Sequence, residues 1–318
     1  MTMSRSTRHT LHAHQSHHGW NNEFPPLLTV APGEAVEFEI RDASGGQITE
    51  RSGIEAVSGM DFSRINPVTG PVAIDGAEPG DALEVRIDRM TPNRDEGWTY
   101  TPVAVNVVEP AVVAKLPPRE RVVWRLDRAN GHARLAEPPP ALAGWVAPFA
   151  PMIGCFGVAP ALGQAISTAT SGPNGGNMDY RRFGPGTTAW FPVAVRGALF
   201  YLGDGHFCQG DGEIVGTGIE TSFEIEFTVR VLKGKAIGWP RGETADEIFA
   251  IGNARPLDQA LQHATTEMLA WLGADFGLDP IAASHLLGQI VRYDVANVFN
   301  PAYSVACRVE KRWLEGRA

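Results

Sequence analysis

The chain has 318 residues, 43% of them hydrophobic and 20% charged, with a formal net charge of −9. This length buries a large core in one β-rich domain or two closely packed ones, and the acidic balance argues against nucleic acid as a partner. No stretch approaches the roughly 20 apolar residues of a membrane span, and 35 glycines with 24 prolines favour short strands and turns over a helical bundle.

The first residues, MTMSRSTRHTLHAHQSHHGW, are basic but lack an apolar run, so they do not read as a signal peptide. Residues 1–16 are expected to be a disordered tail, rich in histidine. Cys155, Cys208 and Cys307 lie far apart and form no CxxC pattern, which fits a reducing, cytoplasmic setting.

From Pro26 to Ile40 the sequence PLLTVAPGEAVEFEI reads as strand, turn and strand, with Val36, Phe38 and Ile40 on one face. The pattern recurs at Val72–Ile87, where Leu83, Val85 and Ile87 share a face, and hints at a duplicated hairpin. Residues 92–147 read as loops around short strands at Val103–Val108 and Arg121–Leu126. The three prolines of Glu137–Pro140 exclude helix there. Ser222–Leu232 alternates strictly, so one face meets a core and the other meets water. Helix appears only late: Leu257, Leu261, Ala264, Met268 and Leu272 fall at helical spacing. Asp279–Pro280 then supplies an N-cap and first-turn proline for a second helix.

The segment Gly175–Glu220 carries the chemistry. Seven glycines between Gly197 and Gly218 are interleaved with Asp204, His206, Gln209, Asp211 and Glu213, and Glu220 follows. Glycine turns let polar side chains converge on one point, as a metal or acid/base site requires. Asp204 and His206 are two apart, so a strand would place both on one side. The competing reading is that these acids cap turns in a glycine-rich hairpin. Asn177 and Asp179 in GGNMD point into a cavity or satisfy their own backbone through Asx turns. Asp42 and Gln47 flank a Ser-Gly-Gly turn, and either could orient an amide, although turn chemistry explains both. Cys155 lies in apolar PMIGCFGV, where burial makes a thiol inert. No GxSxG elbow is present, which leaves activated water as the attacking group.

These residues resemble the acetamidase/formamidase family over most of the chain. The likeness runs through His17–Glu39, Asp42–Gln47, Asp61–Val85, PMIGCFGVAPA, GGNMD, GDGHFCQGDGE and GTGIE, in that order. It implies a mainly β, jelly-roll-like β-sandwich over residues 17–240 that carries the site, with an α+β portion at 241–318 packed on it. It also implies hydrolysis of small carboxamides such as acetamide or formamide to acid and ammonia, with a divalent metal. Cys208 departs from the alanine usual in the family's pattern. On this reading Asp179, Asp204 and His206 hold the metal. Glu213, Glu220 and His18 are catalytic, and Asn177, Gln209 and Gln47 bind substrate. Mixed imidazole and carboxylate ligands fit zinc, whereas an all-oxygen shell would favour calcium or magnesium. A glycine-walled site would suit short amides, and a homodimer is expected. The rival readings are a metal hydrolase of another C–N bond, such as a cyclic imide or carbamate, and a non-enzymatic small-ligand-binding sandwich.

Overall fold

Two large, mostly antiparallel sheets face one another in the computed structural model, which describes residues 8–316. The first has nine strands in the order Arg8–Leu11, Ala35–Ile40, Phe223–Leu232, Ala82–Pro92, Thr188–Pro192, Arg241–Glu243, Glu247–Ala254, Tyr303–Glu310 and Arg292–Asn297. The second is built around Phe200–His206, flanked by Met152–Val158 and Val68–Ile74. Phe38, Ile225, Phe227 and Val229 of the first sheet pack with Ile153, Phe156, Phe200 and Leu202 of the second in one fully buried core. Each such side chain contributes about 1.5–3 kcal/mol. The strict alternation of Phe223–Leu232 is thereby explained.

The repeated segments are not hairpins. Leu28–Val30 joins the second sheet and Ala35–Ile40 the first; likewise Val68–Ile74 joins the second and Ala82–Pro92 the first. Each PG turn therefore carries the chain across the core from one sheet to the other. The copies lie side by side: Leu28–Val30 runs parallel to Val72–Ile74, and Phe223–Leu232 is sandwiched between Ala35–Ile40 and Ala82–Pro92. A crossing turn buries the apolar face of both its strands in the same interior, which a hairpin within one sheet does equally well, so alternation could not distinguish them.

Three further expectations are corrected. Residues 8–16 of the presumed tail are ordered. Arg8–Leu11 adds a parallel edge strand to Ala35–Ile40, with His12 2.9 Å from Glu39; residues 1–7 lie outside the described residues. Val103–Val108 is turn and bend, whereas Glu120–Asp127 does form a strand, paired with Glu96–Thr101. The C-terminal portion is continuous with the sandwich, because its four strands extend the nine-stranded sheet.

Both helices form. Leu257–Phe276 lays Ala260, Ala264, Met268, Trp271 and Leu272 on the outer face of the first sheet, against Ile248, Ala250 and Val309. The buried stripe is rotated from the expected one: Leu261 is exposed, and the bulky Trp271 takes the contact. Asp279 caps Pro280–Ile290 by accepting from the Ile281 and Ala282 amides at 2.9 and 2.8 Å.

Candidate active site

Strand register assembles the site. Trp98 pairs with Glu220, Glu220 with His206 and His206 with Met152, so Trp98, Glu220 and His206 stand in a row across three neighbouring strands. Asp204 precedes His206 on its strand. Its backbone adopts φ +56°, a left-handed conformation that costs of order 1–3 kcal/mol outside glycine. Asp179 (φ +44°) and Glu213 (φ +48°) share that conformation. Three of the five titratable groups at the site are thus held by strained backbone, the pattern expected where function fixes side-chain direction. The Glu213 turn is anchored from the C-terminal region, since Gly212 bonds to Val295 and accepts from Val298. Two glycines make room. A Cβ on Gly154 would stand 2.3 Å from Asp179 Oδ1 and 2.7 Å from Asp204 Oδ2, and one on Gly218 would stand 2.4 Å from the His206 ring.

Asp179, Asp204, His206, Glu213 and Glu220 are all buried. His206 Nε2 lies 3.2 Å from Asp204 Oδ1 and 2.9 Å from Glu220 Oε1. Even so, Asp204 Oδ1 and His206 Nε2 lack aligned hydrogen-bond partners, as do Asn177 Oδ1, Asp179 Oδ1 and Glu213 Oε2. Five buried polar atoms without an aligned hydrogen bond in one place is a costly arrangement unless something binds between them. Two overlapping groups, Asp179–His206–Glu213 and Asp204–His206–Glu220, each bring their ligand atoms within 4.8 Å of one another. Such donors fit a divalent cation. On the far side of the ring, His206 Nδ1 donates to Gln209 Oε1 at 2.7 Å, because an amide oxygen only accepts. That bond turns Nε2 towards the acids, as metal-binding imidazoles require.

The electrostatics agree. Burial, followed by the charge of Asp204, raises the Asp179 pKa to about 7, and burial with Asp204 raises that of Glu220 to about 8. Burial and the Asp179 charge push Glu213 well above the usual carboxylate range. For His206, burial opposes the charged form, but Glu220 and Asp204 outweigh it and hold the imidazole well above its ordinary value. Four acids around one imidazole carry more negative charge than it can balance, and a bound cation would relieve this.

Of the nine expected site residues, seven converge. Asn177, Asp204, Glu213 and Glu220 line a cavity of about 270 Å3. Asp179 and His206 lie beneath, and Gln209 braces them by donating to the Asp179 carbonyl at 2.7 Å. Both ends of the Gln209 amide are thereby engaged within the protein. Gln47 is elsewhere: its amide accepts from Asp61 N at 2.7 Å and donates to the Ser44 carbonyl at 3.0 Å, clamping a loop. His18 is exposed, beside Arg64 and Arg41, and outside the cavity lining. Asp211 pairs with Arg181 on the surface. Cys155 is fully buried, and burial raises its thiol pKa further, in keeping with an inert role.

The sequence reading missed four contributors, Asn297, Asn300, Tyr100 and Phe299, and had Asp42 only as a residue flanking a turn. Asn300 donates to Asp179 Oδ2 and to the Asn177 carbonyl, and Asn297 donates to the Met178 carbonyl at 3.0 Å. Asp42, buried, accepts from Arg94 and from Trp98 Nε1. Tyr100 and Phe299 wall the cavity. The motif NVFNP around Asn297–Asn300 was the one visible signal, since paired asparagines beside a proline mark an ordered turn.

Comparison with known proteins identifies the family. The profile of the Acetamidase/Formamidase family matches residues 2–164 and 161–267. The chain is 28% identical to an acetamidase of Mycolicibacterium smegmatis, over 93% of this chain and 82% of that one. It superposes on the crystal structure of an acetamidase from Yersinia enterocolitica with a TM-score of 0.87 and 31% identity, over 98% of this chain and 94% of the other. An acetamidase from Bacillus halodurans gives 0.87 and 29%, over 97% and 99%. With the profile spanning most of its length and whole-chain likeness to solved acetamidases, the chain belongs to the acetamidase/formamidase family.

Proposed function

We propose that the protein hydrolyses small primary carboxamides to the carboxylate and ammonia at this cluster, with a divalent cation held by Asp179, Asp204 and His206. The observation that carries the reading is the convergence, at and just beneath the wall of one cavity, of five buried polar atoms that lack an aligned hydrogen bond. The mixed imidazole and carboxylate donors favour zinc over calcium or magnesium. A cation bound there would supply Lewis acidity, lowering the pKa of water and polarising the amide carbonyl.

An amide resists attack because its carbonyl is resonance-stabilised and its nitrogen leaves badly unless protonated. Glu213 suits the proton transfer: its Oε2 is without a partner, and the residue lines the cavity where substrate nitrogen would sit. Asn177 Oδ1, also unpartnered, accepts from the substrate amide and holds its plane. Glu220 flanks His206 and receives the Ala43 amide at 3.4 Å, which fixes its direction. Gln209 and Asn300 carry no proton in this scheme and keep His206 and Asp179 aimed.

The test is an ammonia-release assay on formamide and acetamide with elemental analysis of the same preparation. Ammonia release that tracks metal content and is lost after chelation supports the reading. Turnover on a cyclic imide or carbamate alone would redirect it to another C–N bond, and metal-independent ligand affinity without turnover on any amide would identify a binding protein.

A further inference from the structure

The cavity is larger than the chemistry at its floor requires. Its volume is about 270 Å3. A water molecule takes up roughly 30 Å3 of liquid, so acetamide, with four non-hydrogen atoms, fills on the order of 100 Å3. Room remains for about five further non-hydrogen atoms on the same scale. The expected glycine wall is absent there. The upper cavity is instead lined by Met60, Ile65, Trp98, Tyr100 and Phe299, with exposed Phe62 at the rim.

This apolar collar is held rigid. The Trp98 and Tyr100 rings pack at 5.3 Å, and Trp98 Nε1 is fixed by Asp42 at 3.3 Å. The Arg119 guanidinium stacks between Tyr100 and Phe299, 4.4 and 5.0 Å from their ring centres. Among the described residues no lysine, arginine or histidine lines the cavity; its ionisable groups are Asp204, Glu213, Glu220 and Tyr100. The lining offers an anionic substituent no cationic side chain, whereas a hydrocarbon group would meet preformed carbon surface.

Granting the amidase reading above, we propose that the collar is an acyl pocket and that the preferred substrates are primary amides with an uncharged, branched or cyclic hydrocarbon acyl group. Such a substrate has about seven to nine non-hydrogen atoms on the volume estimate just made. Trp98, Tyr100 and Phe299 determine this specificity, and Asn177 orients the amide below them.

The experiment is a kcat/KM series on the purified, metal-replete protein: acetamide, propanamide, butanamide, pentanamide, cyclohexanecarboxamide and the anionic succinamate. The expected result is a rise of about fourfold per buried methylene up to pentanamide. Cyclohexanecarboxamide should be cleaved at least as well as pentanamide, and succinamate at least tenfold more slowly. A series that is flat or falls beyond acetamide overturns the acyl pocket and leaves the amidase reading standing; no ammonia from any amide overturns both. Phe299→Ala should lower the ratio of pentanamide to acetamide kcat/KM about tenfold. An unchanged ratio removes Phe299 from the pocket whatever happens to the absolute rates.

Discussion

Gly154→Ala isolates the convergence of carboxylates in a single methyl group. Gly154 has no positive φ, so alanine suits its backbone and, without neighbours, would stabilise the fold by about 0.4–1 kcal/mol. The neighbours are the site itself. The new carbon falls 2.3 Å from Asp179 Oδ1 and 2.7 Å from Asp204 Oδ2, where ordinary contact begins at 3.4 Å. Asp179 must yield by about 1 Å, but its other oxygen is held by Asn300 and its backbone is already strained. A misplacement of about 1 Å at a reacting centre costs on the order of 100-fold in rate, and overpacking costs about 1–3 kcal/mol of stability. The assay is kcat/KM for acetamide with metal content and Tm on the same sample. Gly210→Ala, where an added carbon meets nothing within 4 Å, serves as the control and should match wild type. Wild-type turnover and metal content in Gly154→Ala would refute the claim that Asp179 and Asp204 act at one centre.

Gln209→Ala frees His206 Nδ1 and should weaken metal affinity by about 10–100-fold in a competitive chelator titration; unchanged affinity would show that another contact sets the ring. Cys155→Ala should keep acetamide turnover within a few-fold, and Cys155 and Cys307 should resist alkylation at pH 8 while the protein is folded, because both thiols are buried. Loss of turnover with intact folding would revive a thiol mechanism. In chelated protein, folded Asp179 and Glu220 keep protons that the unfolded chain loses near pH 4, up to about 7 and about 8 respectively. Proton uptake by the folded state means stability is greatest below pH 4 for these groups and falls as pH rises towards 8. Denaturant midpoints should show this slope in chelated protein and a much flatter one after metal is restored. A slope of the opposite sign would contradict the burial of these acids.

What the sequence revealed was local. Period-two spacing paired Asp204 with His206, and the glycine-rich stretch contained Asp179, Glu213 and Glu220, because close backbone approach leaves that compositional trace. Gln47 and His18 misled for a related reason: a polar residue beside a tight turn looks the same whether it clamps a loop, faces solvent or faces a ligand. The crossing turns could not be told from hairpins, since partner choice between sheets depends on contacts far along the chain. Phe299 and Asn300 reach the site from 79 and 80 residues beyond Glu220, a distance over which no spacing rule operates. The aromatic collar was hidden likewise, Trp98 and Tyr100 being joined to Phe299 only by the fold.

That late arrival has a consequence for biosynthesis. Asn297 and Asn300 emerge from the ribosome more than a hundred residues after Asp179, and until they do the Asp179 carboxylate lacks its Asn300 brace and the Glu213 turn its bonds to Val295 and Val298. A growing polypeptide can close most of its sandwich early yet remain catalytically silent. Products stalled or stopped before Asn297 would release no ammonia, however well the preceding strands had folded.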